Sequence, residues 1–85
     1  MNSSVTVYTM DFCPYCERAK ALLKQRGIPY SEIRVPMDDD SQWESLEKRS
    51  GLKTMPQIFH GERLVGGFND LSALDSKDRL ESLKA

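Results

Sequence analysis

The chain has 85 residues, 12 basic and 13 acidic side chains, a net charge of −1, and 39% hydrophobic and 29% charged residues. That size and balance suit one soluble globular domain spanning 1–85. There is no basic excess for nucleic acid, no apolar run long enough for a membrane span, and no signal-peptide pattern in Met1-Asn2-Ser3-Ser4, so a reducing, cytoplasmic setting is expected.

Residues 4–9 are rich in β-branched and aromatic types and read as a strand. Residues 14–26 read as a helix. Cys16, Ala19, Leu22 and Leu23 make its apolar stripe, Glu17, Arg18, Lys20, Lys24 and Arg26 a solvated face, and Gly27 its stop. Between the two lies Cys13-Pro14-Tyr15-Cys16, which holds both cysteines of the chain. Cys13 therefore falls at or just before a helix N-terminus, where free N–H groups and the macrodipole favour an anion. Such a setting lowers a cysteine pKa from its free value of about 8.5. Pro14 suits the first helical turn. Cys13 reads as a nucleophile and Cys16, three residues on and deeper, as the thiol that resolves what Cys13 captures.

Two other uses of the pair compete. A structural disulfide would close too small a loop to restrain much unfolded chain, and a reducing compartment disfavours it. Zinc needs four ligands, and two Cys with His60 leave a site incomplete unless two chains meet. A C-x-x-C in a βαβ setting favours redox exchange.

Ile28-Pro29 leads into a second strand, Tyr30 to Val35, with Ile33 and Val35 on one face and a parallel pairing to the first strand. Asp38, Asp39 and Asp40 form a solvated run that helps the next helix start. Ser41 with Glu44 fits a capping box, and the helix runs through Trp43 and Leu46 to Gly51. Gln57 to His60 and Arg63 to Val65 are short strands joined at Gly61-Glu62, with His60 a hairpin surface residue. After Gly66-Gly67 come a short helix near Asp70 to Leu74 and a final one from about Ser76 to Leu83, with Leu80 and Leu83 inward. The order β-α-β-α-β-β-α predicts an α/β fold, a four-stranded mixed sheet flanked by helices.

Cys13-Pro14-Tyr15-Cys16 after the first strand, Thr54-Met55-Pro56 before the third and Gly66-Gly67 after the fourth together resemble a glutaredoxin. The likeness covers essentially the whole chain and is closest to the small bacterial dithiol type. Matching runs include Arg18-Ala19-Lys20-Ala21-Leu22-Leu23, Lys48-Arg49-Ser50-Gly51, Pro56-Gln57-Ile58-Phe59 and Asp70-Leu71.

The resemblance implies a thioredoxin-like fold and a glutathione-dependent thiol–disulfide oxidoreductase acting as a monomer. It also implies a set of roles. Cys13 and Cys16 would be catalytic, with Tyr15 over the sulfurs. Pro56 would be the family's cis-proline, turning the backbone of Met55, after Thr54, toward the cysteine of glutathione. Gly67, Phe68, Asn69 and Asp70 would receive the γ-glutamyl end, with Asp70 on its α-ammonium. Phe68 and Tyr8 suit groove or core, and core is preferred for Tyr8. Glutathione is the expected co-substrate and no metal is expected. Disulfide-bearing or glutathionylated proteins would be the partners.

Two positions depart from the family pattern. Met10 stands where a lysine is common, three residues before the nucleophilic cysteine. Trp43 stands where Gln or Arg is common on the second helix. Both family residues help hold the glycine carboxylate of glutathione, so weaker binding is expected unless Lys53 or Lys20 compensates. Asp11 would oppose a very low thiol pKa if its carboxylate is near. Other readings are a redoxin reduced by thioredoxin reductase, a glutathione-ligated [2Fe-2S] carrier, and a non-catalytic interaction module.

Overall fold

A computed structural model describes residues 5–77. In chain order the elements are β1 (Val5–Thr9), α1 (Pro14–Gln25), β2 (Ser31–Arg34), α2 (Asp40–Ser50), β3 (Gln57–His60), β4 (Arg63–Gly66) and α3 (Phe68–Ser76). The sheet runs in the order β2-β1-β3-β4. β1 pairs with β2 in parallel, Val7 beside Glu32, while β1–β3 and β3–β4 are antiparallel. This is the four-stranded mixed sheet that the element order predicts, and it has the thioredoxin-like arrangement that the resemblance implies.

Alternation along β1 divides the core between the two faces of the sheet. Val5 and Val7 pack with Ala19, Leu23, Ile28, Ile58 and Leu71. Phe59, Val35 and Leu46 pack on the other side, with Tyr8, Met10 and Trp43 against them. Fully burying a Leu, Ile or Phe stabilises the fold by about 1.5–3 kcal/mol each, so these clusters set the layers. Tyr8 belongs to the core as preferred: its ring meets Phe59 edge-on at 5.6 Å. Arg49 covers this pair, donating to Tyr8 Oη at 2.9 Å with its guanidinium 4.6 Å from the Phe59 ring.

Helix ends follow local chemistry. α1 begins at Cys13 with Pro14 at the first position. It ends as Ile28 N bonds Leu23 O and Gly27 N bonds Lys24 O, with Gly27 at a φ of 71° that suits glycine. α2 differs from the capping-box expectation. Its N-cap is Asp39, which accepts from Gln42 N, and Ser41 turns its hydroxyl to Asp39 instead. A carboxylate one residue before the helix outcompetes a hydroxyl inside it for the free N–H groups. In β2, Val35 is buried just past the strand but Ile33 remains 40% exposed, because β2 is the sheet edge and all four of its residues face solvent. α3 starts two residues before the expected Asp70 and continues through Ser76 without a break. The inward Leu80 and Leu83 of the expected final helix lie outside the described residues.

Polar ties lock the layers. Lys20 Nζ sits 2.9 Å from Glu17 and 3.1 Å from Glu32. The buried Thr9 hydroxyl donates to Glu32 Oε2 at 2.8 Å. The Glu17 bond, followed by Glu32, holds the Lys20 pKa above its usual value despite partial burial. The Thr9 bond, followed by Lys20, holds the Glu32 carboxyl below its own. Arg26 clamps Asp75 with Nε to Oδ1 at 2.8 Å and Nη2 to Oδ2 at 3.2 Å, joining the end of α1 to α3.

Candidate active site

Cys13 is the N-cap of α1, and its Sγ accepts from Cys16 N at 3.2 Å. The two sulfurs are joined as a disulfide, with Cα atoms 5.2 Å apart. Cys13 is 8% exposed and Cys16 fully buried, so only the first is reachable from outside. A donor N–H and the positive end of the helix at the same sulfur favour a negative charge there once the pair is reduced. The sequence places these two residues correctly and in the expected order of depth.

The Asp11 carboxylate lies 3.3 Å from Arg34, both exposed, so its charge is offset within the rim. Phe12, between Asp11 and Cys13, has a φ of 58° and is 92% exposed.

Across from Cys13, the Met55–Pro56 peptide bond is cis and Met55 O lies 3.9 Å from Cys13 Sγ. The segment before it is held from below. Gln57, fully buried at the start of β3, donates from Nε2 to Leu52 O at 3.1 Å and to Thr54 O at 3.0 Å, while its Oε1 has no partner among the described residues. In sequence Gln57 stands out only as the start of a strand and as part of a run that resembles the family, and nothing in its type announces the clamp.

On the third side, Gly66 has a φ of 127°, and Asp70 Oδ2 accepts from Gly67 N at 3.0 Å. A Cβ on Gly66 would fall 2.6 Å from Asp70 Cγ, so only glycine lets the carboxylate fold back. Phe68, Asn69 and Asp70 thus form the first turn of α3, with the Phe68 ring against Tyr15.

Tyr15, Thr54, Met55, Pro56, Gly67, Phe68, Asn69 and Asp70 line one groove of about 390 Å³. All eight residues singled out around the cysteines therefore meet in one place, and Leu52 joins them unanticipated. Tyr15 is 53% exposed. Its ring leans on Phe68 at 5.9 Å, and the Arg18 guanidinium lies 5.3 Å from its centre.

The two departures do not line the groove but lie behind it. Met10 and Trp43 pack against the apolar cluster that holds Cys13, Cys16 and Met55, and Trp43 Nε1 donates to Pro36 O at 3.0 Å. Lys20 is taken up by Glu17 and Glu32. Lys53, between the groove residues Leu52 and Thr54, is largely exposed and only 3.9 Å from Glu47 at its closest approach. Among the described residues no cluster of three His, Cys, Asp or Glu side chains could hold a metal, and no helix is long and apolar enough to cross a membrane.

The sequence profile of the family described as Glutaredoxin matches residues 5–65. Glutaredoxin 3 of Escherichia coli K12 is 44% identical over 82 residues, covering 95% of this chain and 96% of the relative. Glutaredoxin of Neisseria meningitidis serogroup A is 43% identical over 81 residues, 94% of each chain. Among solved structures, glutaredoxin from Brucella melitensis superposes with a TM-score of 0.83 at 44% identity, covering 99% of this chain and 90% of that one. The buckwheat glutaredoxin–glutathione complex gives 0.85 at 26% identity, covering 95% and 76%.

Proposed function

The chain belongs to the glutaredoxin family of thiol–disulfide oxidoreductases, and on that footing we propose that it reduces disulfides at the expense of glutathione. The observation that carries this reading is the 390 Å³ groove, which opens beside an N-capping sulfur and is walled by all eight residues expected to meet glutathione. The glutathione held by the buckwheat relative supports the same ligand here.

The tripeptide lies between Met55 and α3. The Met55 backbone pairs with its cysteine in the manner of a β-strand. The first turn of α3, with free N–H groups, receives the γ-glutamyl carboxylate. Asp70 Oδ2 is engaged by Gly67 N, which leaves Oδ1 for the α-ammonium. Tyr15 and Phe68 close the apolar side, and Thr54 and Pro56 shape the floor.

With a glutathione mixed disulfide, the Cys13 thiolate attacks the glutathione sulfur. The target leaves as a thiol and glutathione stays on Cys13. A second glutathione thiolate then attacks that sulfur, releasing glutathione disulfide. With a protein disulfide, Cys13 forms a bond to one target sulfur, and Cys16 resolves it by attacking Cys13 Sγ. Attack is fastest when the nucleophile's pKa is near ambient pH, so a moderate thiolate stabilisation at the N-cap serves better than an extreme one. All the parts come from one chain, consistent with a monomer in a reducing, cytoplasmic setting whose partners are disulfide-bearing or glutathionylated proteins.

The test is glutathione-dependent reduction of a glutathionylated small disulfide, coupled to glutathione reductase. Wild type and Cys16→Ser should both be active and Cys13→Ser inactive, while Cys16→Ser loses reduction of protein disulfides. A wild type inactive with glutathione but reduced by thioredoxin reductase would replace this reading with a redoxin fed by that enzyme. Visible absorbance in anaerobically purified protein would point to an iron–sulfur carrier.

A further inference from the structure

Glutathione accounts for the groove on one side of Cys13, but not for Phe12, which is absent from the groove's walls. Phe12 is an outlier in two respects at once. Phe12 is 92% exposed, the most solvent-accessible of the large apolar residues among the described residues, and its backbone holds a φ of 58°, a region bulky residues rarely adopt. A lone exposed aromatic is ordinary on a protein surface. One held in that backbone state, directly before the reactive N-cap sulfur, is not, because a left-handed position at a turn is most easily filled by Gly or Asn.

The surroundings define what the ring could meet. The Asp11–Arg34 pair joins the Phe12 segment to the end of β2, and the Val35 N to Thr9 O bond at 2.8 Å runs alongside. The two charges offset each other, so this pair adds no net charge to the rim. Met37, two residues beyond Val35, is another exposed apolar side chain, at 58%.

We propose that Phe12 selects among disulfide substrates, favouring those with an apolar side chain beside the reacting cysteine. The inference rests on the dithiol route above. In that route the Cys13 thiolate bonds to one substrate sulfur as the substrate S–S bond breaks, and the second substrate sulfur leaves as a thiolate and takes up a proton. Cys16, giving up its proton, then attacks Cys13 Sγ. The substrate departs as a dithiol, and its two electrons have come from the Cys13–Cys16 pair. While the mixed disulfide stands, the residues flanking the substrate cysteine are held against the rim, and Phe12 covers an apolar one.

The test is single-turnover oxidation of pre-reduced protein by two synthetic peptides closed by one disulfide, identical except for Leu or Ser next to the cysteines. No glutathione is needed. Wild type should favour the Leu peptide by about tenfold, equivalent to about 1.4 kcal/mol. Phe12→Asn, which tolerates the left-handed backbone, should erase that preference while reducing the Ser peptide and a small glutathionylated disulfide at the wild-type rate. Phe12→Tyr should retain it. Equal rates for both peptides with wild type, or an undiminished preference in Phe12→Asn, would overturn the proposal while leaving the exchange reading intact. A wild type that reduces neither peptide would overturn the dithiol route and this proposal with it.

Discussion

Replacing Gly66 by Ala tests how the groove's third wall is made. The backbone there has a φ of 127°, and the added Cβ would stand 2.6 Å from Asp70 Cγ and 2.8 Å from Asp70 Cβ. Two costs follow. Forcing an L-residue into that backbone region costs about 1–3 kcal/mol. Pushing the Asp70 carboxylate off Gly67 N removes an exposed bond at the start of α3, worth about 0.5–1 kcal/mol. Together they come to about 1.5–4 kcal/mol, a fall in Tm of roughly 6–32 °C for a domain of this size. Thermal unfolding followed by circular dichroism measures the first effect. The glutathione KM measures the second, since displaced Asp70 can no longer meet the α-ammonium, and KM should rise. Repeating Gly66→Ala in an Asp70→Ala background separates the parts: the backbone cost should persist, and the carboxylate share should vanish from the cycle. A Gly66→Ala protein that melts with the wild type and binds glutathione equally well would refute the close approach as a constraint.

Two other outcomes are expected. Met10→Lys should restore a cation near the groove that Lys20, engaged with two carboxylates, does not supply. An exposed pair is worth about 0.2–1 kcal/mol, so the glutathione KM should fall by roughly 1.4- to 5-fold, and an unchanged KM would mean that another cation such as Lys53 already fills the place. Acid should weaken the α1–β2 tie. The Thr9 hydroxyl, then Lys20, holds the Glu32 carboxyl below its ordinary 4.5, so folding favours its ionised form. That stabilisation is complete above pH 4.5 and is lost as pH falls through the lowered value. Urea midpoints of wild type and Glu32→Gln should therefore differ near neutrality and converge toward acid, and a difference that stays constant with pH would rule the linkage out.

Much of this molecule could be read from the chain because its signals are local. The β-branched run of residues 5–9, Pro14 and Gly27 at the two ends of α1, and the Gly61 turn each carry their own conformational reason. Cys13 and Cys16 are fixed by a three-residue spacing on one helical turn. The groove residues were brought together by resemblance rather than periodicity, since Thr54, Asn69 and Tyr15 have no pattern in common. What sequence left out was decided by competition or by distance. Asp39 and Ser41 both suit an N-cap, and charge at the free N–H groups settles it in favour of Asp39. Ile33 alternates correctly with Val35, yet an edge strand leaves it uncovered. The hold of Gln57 on two carbonyls depends on how the segment leading into β3 bends back on it, and no residue type encodes that.

That hold also bears on how the site breathes. The segment from Leu52 to Thr54 is an irregular loop by secondary structure, the kind of element that ordinarily opens on its own. Here two of its carbonyls are anchored to a side chain sealed inside the sheet. The loop can move away only by giving up both bonds inside the core, which leaves the Gln57 carboxamide without a partner among the described residues. Backbone amides around Met55 would therefore exchange with solvent in step with β3 rather than with surface turns such as Gly61. The face offered to a ligand would keep the rigidity of a strand, and little ordering entropy would be lost when one binds.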